Sequence, residues 1–190
     1  MPTEVRSEIK IPAGYRSPEA ASFVAQLDDQ LARLLDATRE LTADDLMWQP
    51  APGMNTIGML LAHLAVVEVW WTKIVLGKED DPDVRDVIGI GTDDDGMPLA
   101  EGAPAFPLLN GNEIAFYHDL LAKARAFVTR AAQAASPDAL DQTLTRTRPD
   151  GTKRVINGRW YFYHVLEHFA GHYGQILLLK HMRRAAFVRS

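Results

Sequence analysis

Hydrophobic residues return every three or four positions in four long stretches of the chain, the period of one buried face of an α-helix. Ser17, Pro18 and Glu19 are typical of a helix start, because serine caps free N–H groups, proline suits the first turn and an acid favours the positive end of the helix dipole. Asn55 or Thr56 can cap the second stretch in the same way. The pattern predicts helices over about residues 18–41, 55–76, 112–135 and 157–184.

Two segments between these stretches lack the helical period. Residues 77–110 contain nine acidic and two basic side chains, a net charge of −7, and read as a long acidic crossover loop. Residues 143–156 alternate in polarity on either side of Asp150-Gly151, a dipeptide that favours tight turns, so this segment is expected to form a β-hairpin.

Four long helices and one long crossover predict an all-α four-helix bundle, with a small β-hairpin before the last helix. A length of 190 residues fits one domain over residues 1–190. The most apolar stretch, residues 57–71, is interrupted by His63 and Glu68 and is too short and polar to suggest a membrane span. The first ten residues are polar and do not resemble a signal peptide, so we expect a cytoplasmic protein with no membrane partner.

Charge and composition narrow the possible functions. The net charge of −5 argues against nucleic acid as a partner, because neutralising phosphates requires a basic surface. The chain contains no cysteine, which excludes disulfides, cysteine-ligated zinc, iron–sulfur clusters and a cysteine nucleophile. It also lacks the glycine-rich and serine motifs of nucleotide-binding proteins and serine hydrolases. A small molecule is the expected binding partner.

Histidine supplies the candidate chemistry. His164, His168 and His172 recur at intervals of four on the fourth predicted helix, so they share one face. A bundle can place His63, on the apolar face of the second helix, opposite them. Neutral imidazoles suit zinc, nickel or a similar divalent ion, and three of them leave a coordination position open for catalysis. The spacing equally allows buried histidines that hydrogen-bond within the core.

Two motifs then resemble a known family. Residues 48–64 read WQPAPGMNTIGMLLAHL, and residues 164–176 read HVLEHFAGHYGQI. In this order they resemble the two signatures of the DinB-like (YfiT-like) superfamily. The resemblance implies a four-helix bundle, a frequent homodimer and a divalent metal, zinc or nickel, held by His63, His168 and His172. It places His164 outside the ligand set. It also puts Gly171 where many members carry a further histidine.

The same resemblance suggests a metal-dependent enzyme. Some members are S-transferases or isomerases that use a low-molecular-weight thiol such as mycothiol or bacillithiol. The alternatives are a metal-dependent hydrolase using metal-bound hydroxide and a non-catalytic, stress-associated metal-binding protein. No catalytic or cofactor-binding residue can be named from the sequence. Gln175 lies on the histidine face and is a candidate to hydrogen-bond a ligand imidazole or a metal-bound water. A buried amide satisfied by the backbone is the equal alternative.

Several other polar groups have structural interpretations. Glu68 is expected to have a structural role, and Glu167 to form a salt bridge in preference to acting as a general base. Tyr161 is expected in the core in preference to lining the pocket. Asp93–Asp95 are expected in a solvated loop, since they lack the pattern of a calcium loop. The hairpin region is basic, which indicates either charge balance against the acidic crossover or an anion clamp near the metal. Its cations are Arg146, Arg148, Lys153, Arg154 and the following Arg159.

Overall fold

The predicted helices and hairpin are present in the computed structural model, which describes residues 7–147 and 150–188. From the N-terminus the elements are α1 (Pro18–Thr38), α2 (Ala43–Met47), α3 (Ile57–Val75), α4 (Arg85–Ile88), a 3-10 turn (Pro107–Leu109), α5 (Ile114–Ala134), α6 (Pro137–Asp141), β1 (Thr143–Thr147), β2 (Lys153–Asn157) and α7 (Gly158–Val188).

The four long helices pack as a bundle. Helix α3 packs against α5 and α7, and α1 packs against the same two helices from the opposite corner. Strands β1 and β2 pair antiparallel, with Thr143 opposite Asn157 and Thr147 opposite Lys153, and lead directly into α7. The prediction of an all-α bundle with a small hairpin before the last helix is therefore confirmed.

Side-chain caps set where the helices begin. The Ser17 hydroxyl accepts a hydrogen bond from the backbone N–H of Ala20 at 3.3 Å. Thr56, rather than Asn55, caps α3 by accepting from the backbone N–H of Met59 at 3.2 Å. Each cap satisfies an N–H group that has no partner within its helix. The start of α3 matters most for the site, because α3 carries His63.

Helix α3 lies at the centre of the core. In the part of the chain that the structure describes, it is the one helix long and apolar enough to cross a membrane, but 78% of its most apolar window is buried. Glycine at position 58 allows close packing, since a Cβ there would lie 2.6 Å from the Tyr117 hydroxyl oxygen of α5. An apolar helix buried among its neighbours is the core helix of a bundle.

The crossover between α3 and α5 contains regular structure and buried residues in spite of its many acidic side chains. It includes the single turn α4, which ends at Gly89 in the left-handed conformation with φ +89°. Val84, Ile88 and Ile90 of this segment are buried and join the core. The segment predicted as an acidic crossover loop therefore also contains short helical turns, and isolated apolar residues between the acids anchor it to the bundle.

A buried ion network connects the four long helices. Arg125 of α5 donates to Glu68 of α3 at 2.5 and 3.2 Å and to Asp28 of α1 at 2.9 Å. Its guanidinium carbon also lies 5.6 Å from the ring centroid of Phe169 in α7. Burial opposes the charge of Arg125, but Glu68 and Asp28 together raise its pKa above the usual value. The structural role expected for Glu68 is what the structure shows, as an ion pair with Arg125.

We predict that Arg125→Met lowers the free energy of unfolding by about 3–5 kcal/mol, because it leaves the Glu68 carboxylate buried without its partner. Urea unfolding followed by circular dichroism measures this change. Arg130→Met, on an exposed position of the same helix, is the control and should change stability by less than about 0.5 kcal/mol. The double variant Glu68→Met/Arg125→Met should recover part of the loss, and equal losses in the single and double variants would contradict this explanation.

Candidate metal centre

Three histidines from two helices meet at one point. His63 comes from α3, and His168 and His172 come from successive turns of α7. The Nε2 atom of His168 lies 3.2 Å from Nε2 of His63 and 3.0 Å from Nε2 of His172. The candidate ligand atoms all lie within 4.8 Å of one another. The structure therefore brings together the three histidines that the family motifs indicate.

The outer ring nitrogens are occupied by hydrogen bonds. His63 donates from Nδ1 to the Asp95 carboxylate at 2.7 Å, and His172 donates from Nδ1 to the Gln175 side-chain oxygen at 2.8 Å. A neutral imidazole that donates from Nδ1 carries a lone pair on Nε2. Two lone pairs thus point at His168, whose Nε2 can donate a hydrogen to only one of them. A cation at this point satisfies such a donor set.

Burial keeps the imidazoles of α7 in the form that binds metals. Burial, together with the neighbouring His172 and His63, lowers the pKa of His168 to about 3. Burial also lowers the pKa of His172, although its hydrogen bond with Gln175 acts in the opposite direction. Metal binding requires neutral imidazole, so these two side chains are ready to bind at neutral pH. Three neutral nitrogen donors fit a divalent first-row ion such as zinc or nickel.

Asp95 contacts the histidine cluster, and sequence reasoning missed it. It was expected in a solvated loop, but it is only 2% exposed and contacts His63. Its second carboxylate oxygen accepts from the backbone N–H of Met97 at 3.0 Å, which fixes its orientation. Three adjacent aspartates offered no basis for choosing one, because the contact spans 32 positions and depends on how the crossover folds. Carboxylate–histidine pairs of this kind orient metal ligands in proteins.

One side of the histidine cluster is open. A shallow depression of about 300 Å³ lies over α7. Gly171 contributes no side chain, and a Cβ there would meet nothing within 4 Å. The absence of a second histidine at this position therefore leaves space beside the cluster. The depression is lined by His164, Glu167, His168, Gly171, His172 and Gln175.

His164 lies beside the cluster but outside the group of convergent nitrogens. Its Nδ1 lies 3.1 Å from the exposed carboxylate of Glu167, and its ring stacks on Trp160 with centroids 4.5 Å apart. The guanidinium carbon of Arg154, in β2, lies 4.1 Å from the ring centroid of Trp160. Two hydrogen bonds hold the pKa of Glu167 below its usual value: the one with His164 has the larger effect, and the one with Tyr163 the smaller.

The remaining candidates have structural partners. Tyr161 is fully buried in the core and shares a hydrogen bond with Thr72, as the sequence indicated. Arg159 pairs with Glu19 and Asp141, so it links the start of α7 to α1 and α6. Arg146 lies over Trp70 with its guanidinium carbon 4.8 Å from the ring centroid. Arg148 falls outside the residues that the structure describes.

Comparison with known families agrees with this geometry. The family model described as mycothiol-S-transferase matches residues 22–183, which include the whole of α3 and α5, most of α1 and α7, and the three histidines. A comparison with curated proteins found no match. The resemblance to the DinB-like superfamily is confirmed, because the matched family lies within that superfamily. Since the match covers most of its length, the chain belongs to the mycothiol-S-transferase family.

Proposed function

We propose that this protein is a metal-dependent S-transferase that joins a low-molecular-weight thiol, mycothiol or a relative such as bacillithiol, to an electrophilic small molecule. The observation that carries the proposal is the convergence of three imidazole Nε2 atoms below an open depression. Membership of the mycothiol-S-transferase family supports the thiol as co-substrate. We further propose that the protein acts in the cytoplasm as a homodimer.

Each residue of the cluster has a separate task in this proposal. His63, His168 and His172 hold the ion, while Asp95 and Gln175 keep two of the imidazoles in the required tautomer. A bound zinc or nickel ion supplies a Lewis acid that lowers the pKa of a thiol and so favours the nucleophilic thiolate. The depression gives both reactants access from one side.

The proposed thiol transfer involves no oxidation or reduction, so it needs no redox partner. With an alkyl chloride as the test electrophile, the thiolate sulfur forms a bond to the carbon that carries chlorine. The carbon–chlorine bond breaks, chloride leaves with the bonding electrons, and the thiol proton passes to solvent. The protein contributes no nucleophile of its own, which agrees with its lack of cysteine.

Hydrolysis is the second candidate, and one observation favours it. The Glu167 carboxylate lines the same depression as His168 and His172, and release of its hydrogen bond with His164 would leave it able to act as a general base there. A metal-dependent hydrolase would act without thiol, whereas a transferase requires it. The third alternative, a non-catalytic metal-binding protein, would show neither activity.

We predict that the purified protein contains about one divalent ion per chain and that His168→Ala loses it, because two imidazoles cannot complete the site. Metal content is measured by plasma mass spectrometry on protein prepared without a nickel column. His181→Ala, at an exposed position on the same helix, should keep the ion. Wild-type protein that contains no metal and binds no added zinc or nickel would rule out the site.

We predict that Asp95→Ala weakens metal binding by about 10–100-fold, because His63 loses the carboxylate that orients it. Competition with a chromogenic chelator measures the affinity. Asp95→Asn should show a smaller loss, since its amide oxygen can still accept from His63. Asp93→Ala, two positions away and exposed, should match wild type. Equal affinity in Asp95→Ala and wild type would show that the contact with His63 has no part in metal binding.

We predict that metal-loaded protein consumes an alkyl chloride only when mycothiol or bacillithiol is added, and that His63→Ala removes this activity. Chromatography with mass spectrometry identifies the thioether product. The His181→Ala protein serves again as the matched control. Consumption of substrate without thiol, with an alcohol as the product, would instead indicate a hydrolase.

A further inference from the structure

A second hollow adjoins the histidine cluster further along α7. It has a volume of about 350 Å³, and most of its lining is apolar. Gln175 lines both this hollow and the depression over the histidines, so the two spaces are neighbours. The lining residues are Gly53, Met54, Asn55, Leu60, Gln175, Leu178, Leu179 and Met182. We call this space the apolar hollow.

The two spaces follow the same face of α7. His168, His172, Gln175 and Leu179 are separated by three or four positions, which keeps them in line along a helix. A rise of 1.5 Å per residue places the Cα atoms of His172 and Leu178 about 9 Å apart along the axis. A small molecule can therefore reach from the histidine cluster into the apolar hollow.

Hydrogen bonds hold the loop at Gly53 and Met54, which lines the apolar hollow together with α7. The N–H of Gly53 donates to the carbonyl of Ala103 at 2.7 Å, and the Gln49 side chain donates to the carbonyls of Met54 and Ala103 at 2.8 and 3.1 Å. Gly53 has φ +87°, and a Cβ there would lie 2.8 Å from the backbone nitrogen of Gly102. The crossover thus holds the backbone at Met54 in place across from Leu178.

The hollow leaves apolar surface in contact with water. Leu178 is 58% exposed and Met54 is 42% exposed, although both belong to its lining. Covering such surface is favourable, and methionine side chains adapt to ligands of different shape. We propose that the apolar hollow binds the apolar, non-reacting group of the electrophilic substrate while the reacting carbon lies over the histidine cluster. This inference rests on the proposed transferase function and assigns its substrates to apolar electrophiles.

The test uses two chlorides that share one reacting group, chloroacetamide and N-hexylchloroacetamide. Each buried methylene contributes about fourfold in binding, so partial burial of the hexyl chain should raise kcat/KM by at least about tenfold. Non-enzymatic rates with the same thiol are subtracted, so the ratio reports only the protein. Leu178→Asp should reduce the preference for the hexyl compound about tenfold, mainly through KM. Leu177→Asp, next to it and 42% exposed but outside the lining, should keep both the preference and the basal activity.

A binding measurement separates this inference from the proposed function. N-hexylacetamide cannot react, and calorimetry should show that it binds wild type and Leu177→Asp but binds Leu178→Asp about tenfold more weakly. Binding without any thiol transfer would support the hollow and contradict the transferase. If the protein transfers the thiol but shows no preference for the hexyl compound and does not bind N-hexylacetamide, the proposed role of the apolar hollow is wrong and the transferase function stands. If Leu178→Asp abolishes a dimer and wild type does not bind N-hexylacetamide, the apolar hollow is an interface between two copies of the chain and not a substrate site.

Discussion

The position of one buried guanidinium constrains the rest of the structure. Arg125 contacts Glu68 of α3, Asp28 of α1 and the ring of Phe169 in α7, while its own backbone belongs to α5. Buried ion pairs tolerate little displacement, because a charge that loses its partner in the core is costly. Glu68 follows His63 by five positions, and Phe169 follows His168 directly. The network that joins the helices thereby sets the rotation and register that bring the imidazoles together.

The acidic crossover acts as part of the site. Its buried Asp95 receives the hydrogen bond of His63, and its carbonyl at Ala103 holds the loop beside the apolar hollow. Lys73 of α3, itself buried, donates to Asp86 at 2.7 Å and so fastens the first part of the crossover to the bundle. The crossover therefore supports both the imidazole cluster and the loop at Gly53 that lines the apolar hollow. This arrangement explains why a long connection carries buried apolar residues among its acids.

Two arginines in and after the hairpin, Arg154 and Arg159, make different kinds of contact. Arg159 is paired with Glu19 and Asp141, so it balances acids of α1 and α6 and not those of the crossover. Arg154 instead lies over the ring of Trp160, which in turn stacks on His164 at the edge of the depression. Neither guanidinium pairs with a crossover carboxylate in the described part of the chain. Any charge balance between the hairpin region and the crossover therefore does not rest on direct ion pairs of these two arginines.

The sequence by itself determined the bundle, the hairpin and the histidine candidates. Helical spacing along α7 already placed His168, His172 and Gln175 on one face, because contacts within a helix follow from its period. Tertiary structure alone decided that Asp95, among three adjacent aspartates, reaches His63, and that Gln175 lines both the depression and the apolar hollow. Such contacts join residues distant in the chain, and their geometry depends on how the crossover and the loop at Gly53 pack against α3 and α7. Local pattern carries no information about that packing.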